Sequence, residues 1–122
     1  MLWILSSLPG DDLQLPPFPG ADKLVHFGYF SVGAFLLGWL LRTTIDWPGW
    51  KVTCAVVFVI AIVGALDEAH QLHTAQRSGA DPFDWIADCA GGFLGAVVIG
   101  CLYVRNRDRD MVAASKVVAD GD

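Results

Sequence analysis

The sequence predicts an all-α fold: a polytopic transmembrane helix bundle with three full spans and an N-terminal segment that reads as the remnant of a fourth. Three observations lead there. Of 122 residues, 54% are hydrophobic and the mean hydropathy is +0.48, above what an average soluble domain carries. The apolar residues fall into three runs of helix length. Charged residues make up only 17% of the chain and gather at the ends of those runs. A bilayer disfavours ionisable groups at its centre by a few kcal/mol or more, so they collect where spans meet water.

Met1 to Leu8 is apolar but too short to span and has no basic flank, so it does not read as a cleavable signal peptide. It reads as the last turns of a helix, either lying in the interface or closing a further span that begins upstream. Pro9 to Gly20 holds four of the six prolines and two acids, and is a loop. The first span is expected over about 23–42. Leu24 to Leu41 alone covers roughly 27 Å at about 1.5 Å per residue, close to the hydrocarbon thickness. Asp22 is its expected N-cap, accepting from free N–H groups of the first turn.

Trp47 and Trp50 anchor the next connector at the interface around a Pro48-Gly49 turn. The second span is expected over about 51–72. Its apolar run from Val52 to Leu66 is only about 22 Å long, which leaves Asp67 and Glu68 slightly below the membrane surface. The third span, about 82–104, opens on Asp81 as N-cap with Pro82 at the first helical position, where a missing N–H costs nothing. Residues 1–104 therefore read as one membrane domain. Residues 105–122, alternating Arg and Asp and then small residues, read as a solvated tail in which Met111 to Val118 is compatible with a short helix.

Arg42 and Lys51 flank one connector, and Arg105, Arg107 and Arg109 follow the last span. By the positive-inside rule these mark the cytoplasmic side. The polar clusters of all three spans then fall together on the opposite, extracytoplasmic face. On the third helix Asp81, Asp84, Asp88, Gly91 and Gly95 step by three and four and share one stripe. Gly91-x-x-x-Gly95 is the spacing that lets a second helix backbone approach. Gly64, Asp67, Glu68 and Gln71 share a face of the second helix, and His26, Phe30, Gly33 and Leu37 a face of the first. The faces point to a polar pocket at the outer end of the bundle.

Asp22, Asp81 and Asp84 are explicable as helix-start residues alone. Asp88 lies two turns inside its helix, and Asp67 and Glu68 sit at a helix C-terminal end where the dipole disfavours them. Those three call for a function or a buried ion network, with Arg77 as a partner. His26 beside Glu68 or Asp67 makes a candidate general acid–base pair. Asp22, Lys23, Gln71, Arg77, Asp84 and Asp88 are the candidate binding residues around it. Asp67, His70 and His73 are spaced i, i+3, i+6 and fan around the helix, so no metal site and no cofactor is expected from that helix. The net charge of -5 excludes a nucleic-acid partner that needs a basic face. Cys54, Cys89 and Cys101 all lie in apolar runs and act as small hydrophobes.

An ordered set of short motifs adds to this reading: Ser6-Ser7-Leu8-Pro9, Asp22-Lys23-Leu24-Val25-His26-Phe27, Asp67-Glu68-x-His70-Gln71, Arg77-Ser78-Gly79 and Asp84-x-x-x-Asp88-x-x-Gly91. With them the chain resembles the VanZ-like family of small bacterial membrane proteins over about residues 1 to 100. The resemblance implies a multi-pass protein of the bacterial cytoplasmic membrane tied to the cell envelope, a helix before the Ser-Ser element, and a link to teicoplanin resistance through the family's namesake. It supplies no reaction. Asp88 stands where that family often has Asn, and His73 where an apolar residue is expected. The function expected is an envelope-facing pocket that binds or modifies a lipid-linked envelope precursor, with membrane lipids as its surroundings. The alternative is a membrane-organising or scaffolding protein whose polar residues form an interhelical network. Transport ranks below both, because three spans would need a homo-oligomer to enclose a path.

Overall fold

The computed structural model describes residues 7, 18–73 and 81–119, the side chains of 107–110 and 114–119 excepted. Three helices follow one another: α1 over Ala21–Thr44, α2 over Gly49–Gln71 and α3 over Pro82–Ala119. All three are long and apolar enough to cross a membrane, and this is a multi-pass helix bundle. The Met1 to Leu8 segment, apart from Ser7, lies outside the described residues.

Helix α1 starts one residue before the acid expected to cap it. Gly20 is the N-cap, with φ of 84°, and no side chain caps the helix. The left-handed turn suits glycine, which has no Cβ to clash, and places Asp22 inside the first turn. The helix ends at Ile45, whose N–H bonds the Leu41 carbonyl at 2.9 Å. The connector then turns directly into α2, so Gly49 and Trp50 are already helical. Arg42 braces this corner. Its guanidinium donates to the Gly49 carbonyl at 3.2 Å and stands 5.6 Å from the Tyr103 ring centre.

The sequence expectation for α3 stops too early. Nothing between Gly100 and Gly121 is Gly or Pro, and the helix runs unbroken to Ala119. Its 38 residues make about 57 Å, more than a bilayer's hydrocarbon needs, so the charged segment from Arg105 onward continues the helix beyond the apolar run.

Side chains too large and apolar for water, such as Leu24, Val32, Trp50, Phe58 and Phe83, are exposed around the outside, where a lipid environment accepts them. Inside, Phe30, Ala34, Val52, Val56, Ile60 and Ala96 form an apolar core. The face of α1 that meets it is His26, Phe30, Ala34 and Gly38. It is a pure i+4 row, rotated from the expected Gly33 and Leu37, with Leu37 packed at its flank.

The tightest contact joins α1 to α3, two helices that are not consecutive in the chain. A Cβ on Gly91 would run into the Phe27 carbonyl oxygen, and one on Gly95 into the Ser31 carbonyl oxygen. Backbone therefore lies on backbone, which only small residues permit. Helix α2 packs against both, with Ile60 seated over Gly92 and the Trp85 indole donating to the Ala61 carbonyl at 3.0 Å.

Gly95→Leu should cost about 1–3 kcal/mol or prevent assembly, because the added atoms have no space. Gly33→Ala, where nothing lies within 4 Å of an added Cβ, should be neutral or stabilising by up to about 1 kcal/mol. Thermal unfolding in detergent, read with membrane abundance, checks both.

Candidate functional site

The N-terminal ends of α1 and α3 and the C-terminal end of α2 meet at one end of the bundle, and the polar residues of all three helices collect there. The outer layer is an ion cluster. Lys23 Nζ donates to Asp84 at 2.8 Å, Asp81 at 3.1 Å and Asp22 at 3.2 Å. An ammonium has three donors, and all are used on carboxylates. Lys23 is thus a fastener between α1 and α3. Asp81 is also the N-cap of α3, accepting from the Phe83 N–H at 2.8 Å, with Pro82 next to it as the first helical residue.

The inner layer is buried. His26 Nδ1 donates to Asp88 Oδ1 at 2.9 Å, with Asp88 fully inaccessible and His26 nearly so. The partner of His26 is therefore Asp88 of α3, where the sequence reading paired it with Glu68 or Asp67 of α2. Glu68 stands beside the pair: one donor atom from each of His26, Glu68 and Asp88 lies within 4.8 Å of the others. Glu68 Oε2 accepts from the backbone N–H of Asp81 at 2.9 Å, tying the end of α2 to the start of α3. Its other oxygen, Oε1, and the Asp88 Oδ2 are buried with no hydrogen-bond partner among the described residues. Asp88 fits only because Gly64 faces it, since a Cβ there would stand 2.8 Å from Oδ2.

Asp67 is fully buried and accepts from Gln71 Nε2 one turn along the helix at 2.9 Å, beside the His26–Asp88 pair rather than in it. His70 Nε2 shares a hydrogen bond of 2.9 Å with Ser7 Oγ, which brings Ser7 to this end of the bundle. His73 leans on the Ala69 carbonyl of its own helix at 3.3 Å. Arg77 lies outside the described residues. Ser7 and Gly64 are the contributors that chemistry-led reading of the sequence passes over. Ser7 was visible only through the ordered motifs, and Gly64 only as a member of the α2 face.

An apolar groove of about 320 Å³ between α2 and α3 has Ala65, Leu72, Pro82 and Trp85 in its walls and Glu68 and Asp81 at its polar edge. A larger cavity of about 790 Å³ lies at the opposite end, lined by residues that include Arg42, Trp47 and Tyr103, away from these carboxylates. The VanZ/LLP1 family model matches residues 2–103, which takes in every residue of both layers. No curated protein and no solved structure matches the chain.

The Phe83 N–H and then the Lys23 ammonium hold the Asp81 carboxyl below its ordinary range. A carboxyl depressed by folding adds stability above its unfolded pKa of about 3.9, and that stability is lost as pH falls through the lower folded value. Asp81→Asn keeps a capping oxygen but removes the ion pair. Its melting temperature should therefore lie below wild type at neutral pH and converge on it once the pH is well below 4. Melting both proteins across a pH series checks this.

Proposed function

The chain belongs to the VanZ/LLP1 family, and from that premise we propose that it is an envelope protein of the bacterial cytoplasmic membrane whose polar end binds or modifies the headgroup of a lipid-linked component. Arg42, Lys51 and Arg105 lie at the opposite end of the bundle from these carboxylates, which by the positive-inside rule supports a site on the extracytoplasmic face with the end of α3 in the cytoplasm. The observation that carries the reading is the buried His26–Asp88 pair with the free oxygen of Glu68 next to it. Structural ion networks tend to satisfy their buried oxygens, whereas sites leave some open for a ligand.

The charge of the site bears on its ligand. Among the described residues Asp22, Asp67, Glu68, Asp81, Asp84 and Asp88 gather here around the fixed cation of Lys23, whose donors are already taken. That setting favours a headgroup presenting hydroxyl or amine donors over one presenting phosphate to these residues. The groove beside Glu68 would take an apolar chain while the headgroup reaches the carboxylates. In a modification reaction Glu68 and His26 are the groups placed to accept and return a proton, with Asp88 orienting the imidazole.

A second reading has its own observation. The Lys23 bridges and the Glu68 bond to the Asp81 backbone fasten three helices together, as a membrane-organising or scaffolding protein would need. Mass spectrometry of membrane lipids and lipid-linked precursors separates the two in a deletion strain complemented at matched protein level. With His26→Ala or Glu68→Gln, the site reading expects a lipid-linked species to accumulate or vanish relative to wild type. Profiles identical to wild type, with the variants present in full amount, would leave the scaffold reading in its place.

A further inference from the structure

We propose that His26, Glu68 and Asp88 form a binding site for a divalent transition cation of the Zn²⁺ or Mn²⁺ type, assembled from one residue of each helix. The proposal goes beyond the headgroup reading and does not depend on it.

Two independent observations carry it. The first is placement: one donor atom from each residue lies within 4.8 Å of the other two, and all three residues are buried. Ligand atoms around a tetrahedral ion at about 2.1 Å stand about 3.4 Å apart, so the cluster needs to close by little more than about an ångström. Rotation of the two carboxylates supplies such a movement without shifting a helix. The second is the state of the oxygens. Glu68 Oε1 and Asp88 Oδ2 are buried and accept no hydrogen bond from the described residues, while Glu68 Oε2 and Asp88 Oδ1 are held by the Asp81 N–H and His26. Buried carboxylate oxygens without a donor are costly unless a cation or proton faces them. Glu68 thus has one oxygen anchored by a backbone N–H and one left over, and Asp88 has one left over beside the imidazole; a cation would displace the His26 Nδ1 proton, so that Nδ1 exchanges its bond to Asp88 Oδ1 for the ion.

The donor set fixes the class of ion. One imidazole and two carboxylates suit zinc or manganese, whereas an all-oxygen set would suit calcium or magnesium. Two carboxylates with a neutral imidazole also cancel a 2+ charge, which matters in a low-dielectric interior. Three protein ligands leave a coordination position open, as catalytic rather than structural zinc sites do. The opening has a place to lead, since Glu68 also borders the groove between α2 and α3. His70 and His73 are not part of this donor set: one bonds Ser7 and the other leans on its own helix.

The test uses the full chain, untagged, purified in detergent and stripped with chelator, then titrated calorimetrically with ZnCl₂ and with MnCl₂. We expect one ion per chain, with Glu68→Gln and Asp88→Asn each weakening binding at least about tenfold, and Asp22→Asn and the double variant His70→Ala/His73→Ala leaving it unchanged. X-ray absorption of the zinc-loaded wild type gives a readout that needs no variant, with a shell of one nitrogen and at least two oxygens near about 2.0–2.1 Å expected. No binding by either metal, binding untouched by Glu68→Gln and Asp88→Asn, or a shell containing sulfur or several imidazoles would overturn the proposal. These outcomes are read without any lipid-linked ligand, so they stand or fall separately from the headgroup reading.

Discussion

The rest of this small bundle depends on the backbone contact between α1 and α3. At Gly91 and Gly95 the α3 backbone lies against the carbonyls of Phe27 and Ser31. In a membrane, apolar side chains gain little by leaving lipid for another helix, so association relies on close van der Waals packing and on polar contacts. Two glycines four residues apart provide the first. They also set the helix separation at which His26, one residue before Phe27, reaches Asp88, three residues before Gly91. A third glycine, Gly64 of α2, makes the room that Asp88 Oδ2 occupies. The polar site is thus a consequence of where side chains are missing.

A second constraint is the cost of keeping carboxylates at a membrane end. Asp67 and Asp88 are fully buried and Glu68 nearly so. Each is held by at least one donor: Gln71 for Asp67, His26 for Asp88 and the Asp81 backbone for Glu68. Lys23 gathers the more exposed acids around one ammonium. Surface pairs of that kind contribute little singly, but this one spans two helices and closes over the buried layer. Among the described residues the buried carboxylate oxygens left unsatisfied are those of the inner cluster, on Glu68 and Asp88. A network meant only to hold helices together would gain from satisfying those atoms.

Much of this was legible in the sequence where the information is local. Apolar run length places three helices, and the three-four steps of Asp84, Asp88, Gly91 and Gly95 and of Gly64, Asp67, Glu68 and Gln71 place the buried faces of α3 and α2. Asp81-Pro82 marks the start of α3. Where choices depend on a neighbouring helix, the sequence is silent. The α1 face is His26, Phe30, Ala34 and Gly38 because α3 presents backbone there, and no pattern within α1 distinguishes that row from one through Gly33 and Leu37. Asp22 is a good cap by residue type, but a left-handed Gly20 already ends the preceding turn. His26 pairs with Asp88, 62 residues away, instead of an α2 acid. A cluster drawn from three helices, such as His26, Glu68 and Asp88, has no spacing to read in the sequence.

Packing of α1 on α3 couples His26 to Asp88 as one buried unit. A double-mutant cycle measures this directly: melting of wild type, His26→Ala, Asp88→Ala and the double variant, in the same detergent and at the same pH. The double variant should be destabilised by clearly less than the sum of the single effects, with a coupling of about 0.5–3 kcal/mol, because either single change strands the other group in the interior. Additive single effects would contradict it, and would mean that the two residues are neighbours without being partners.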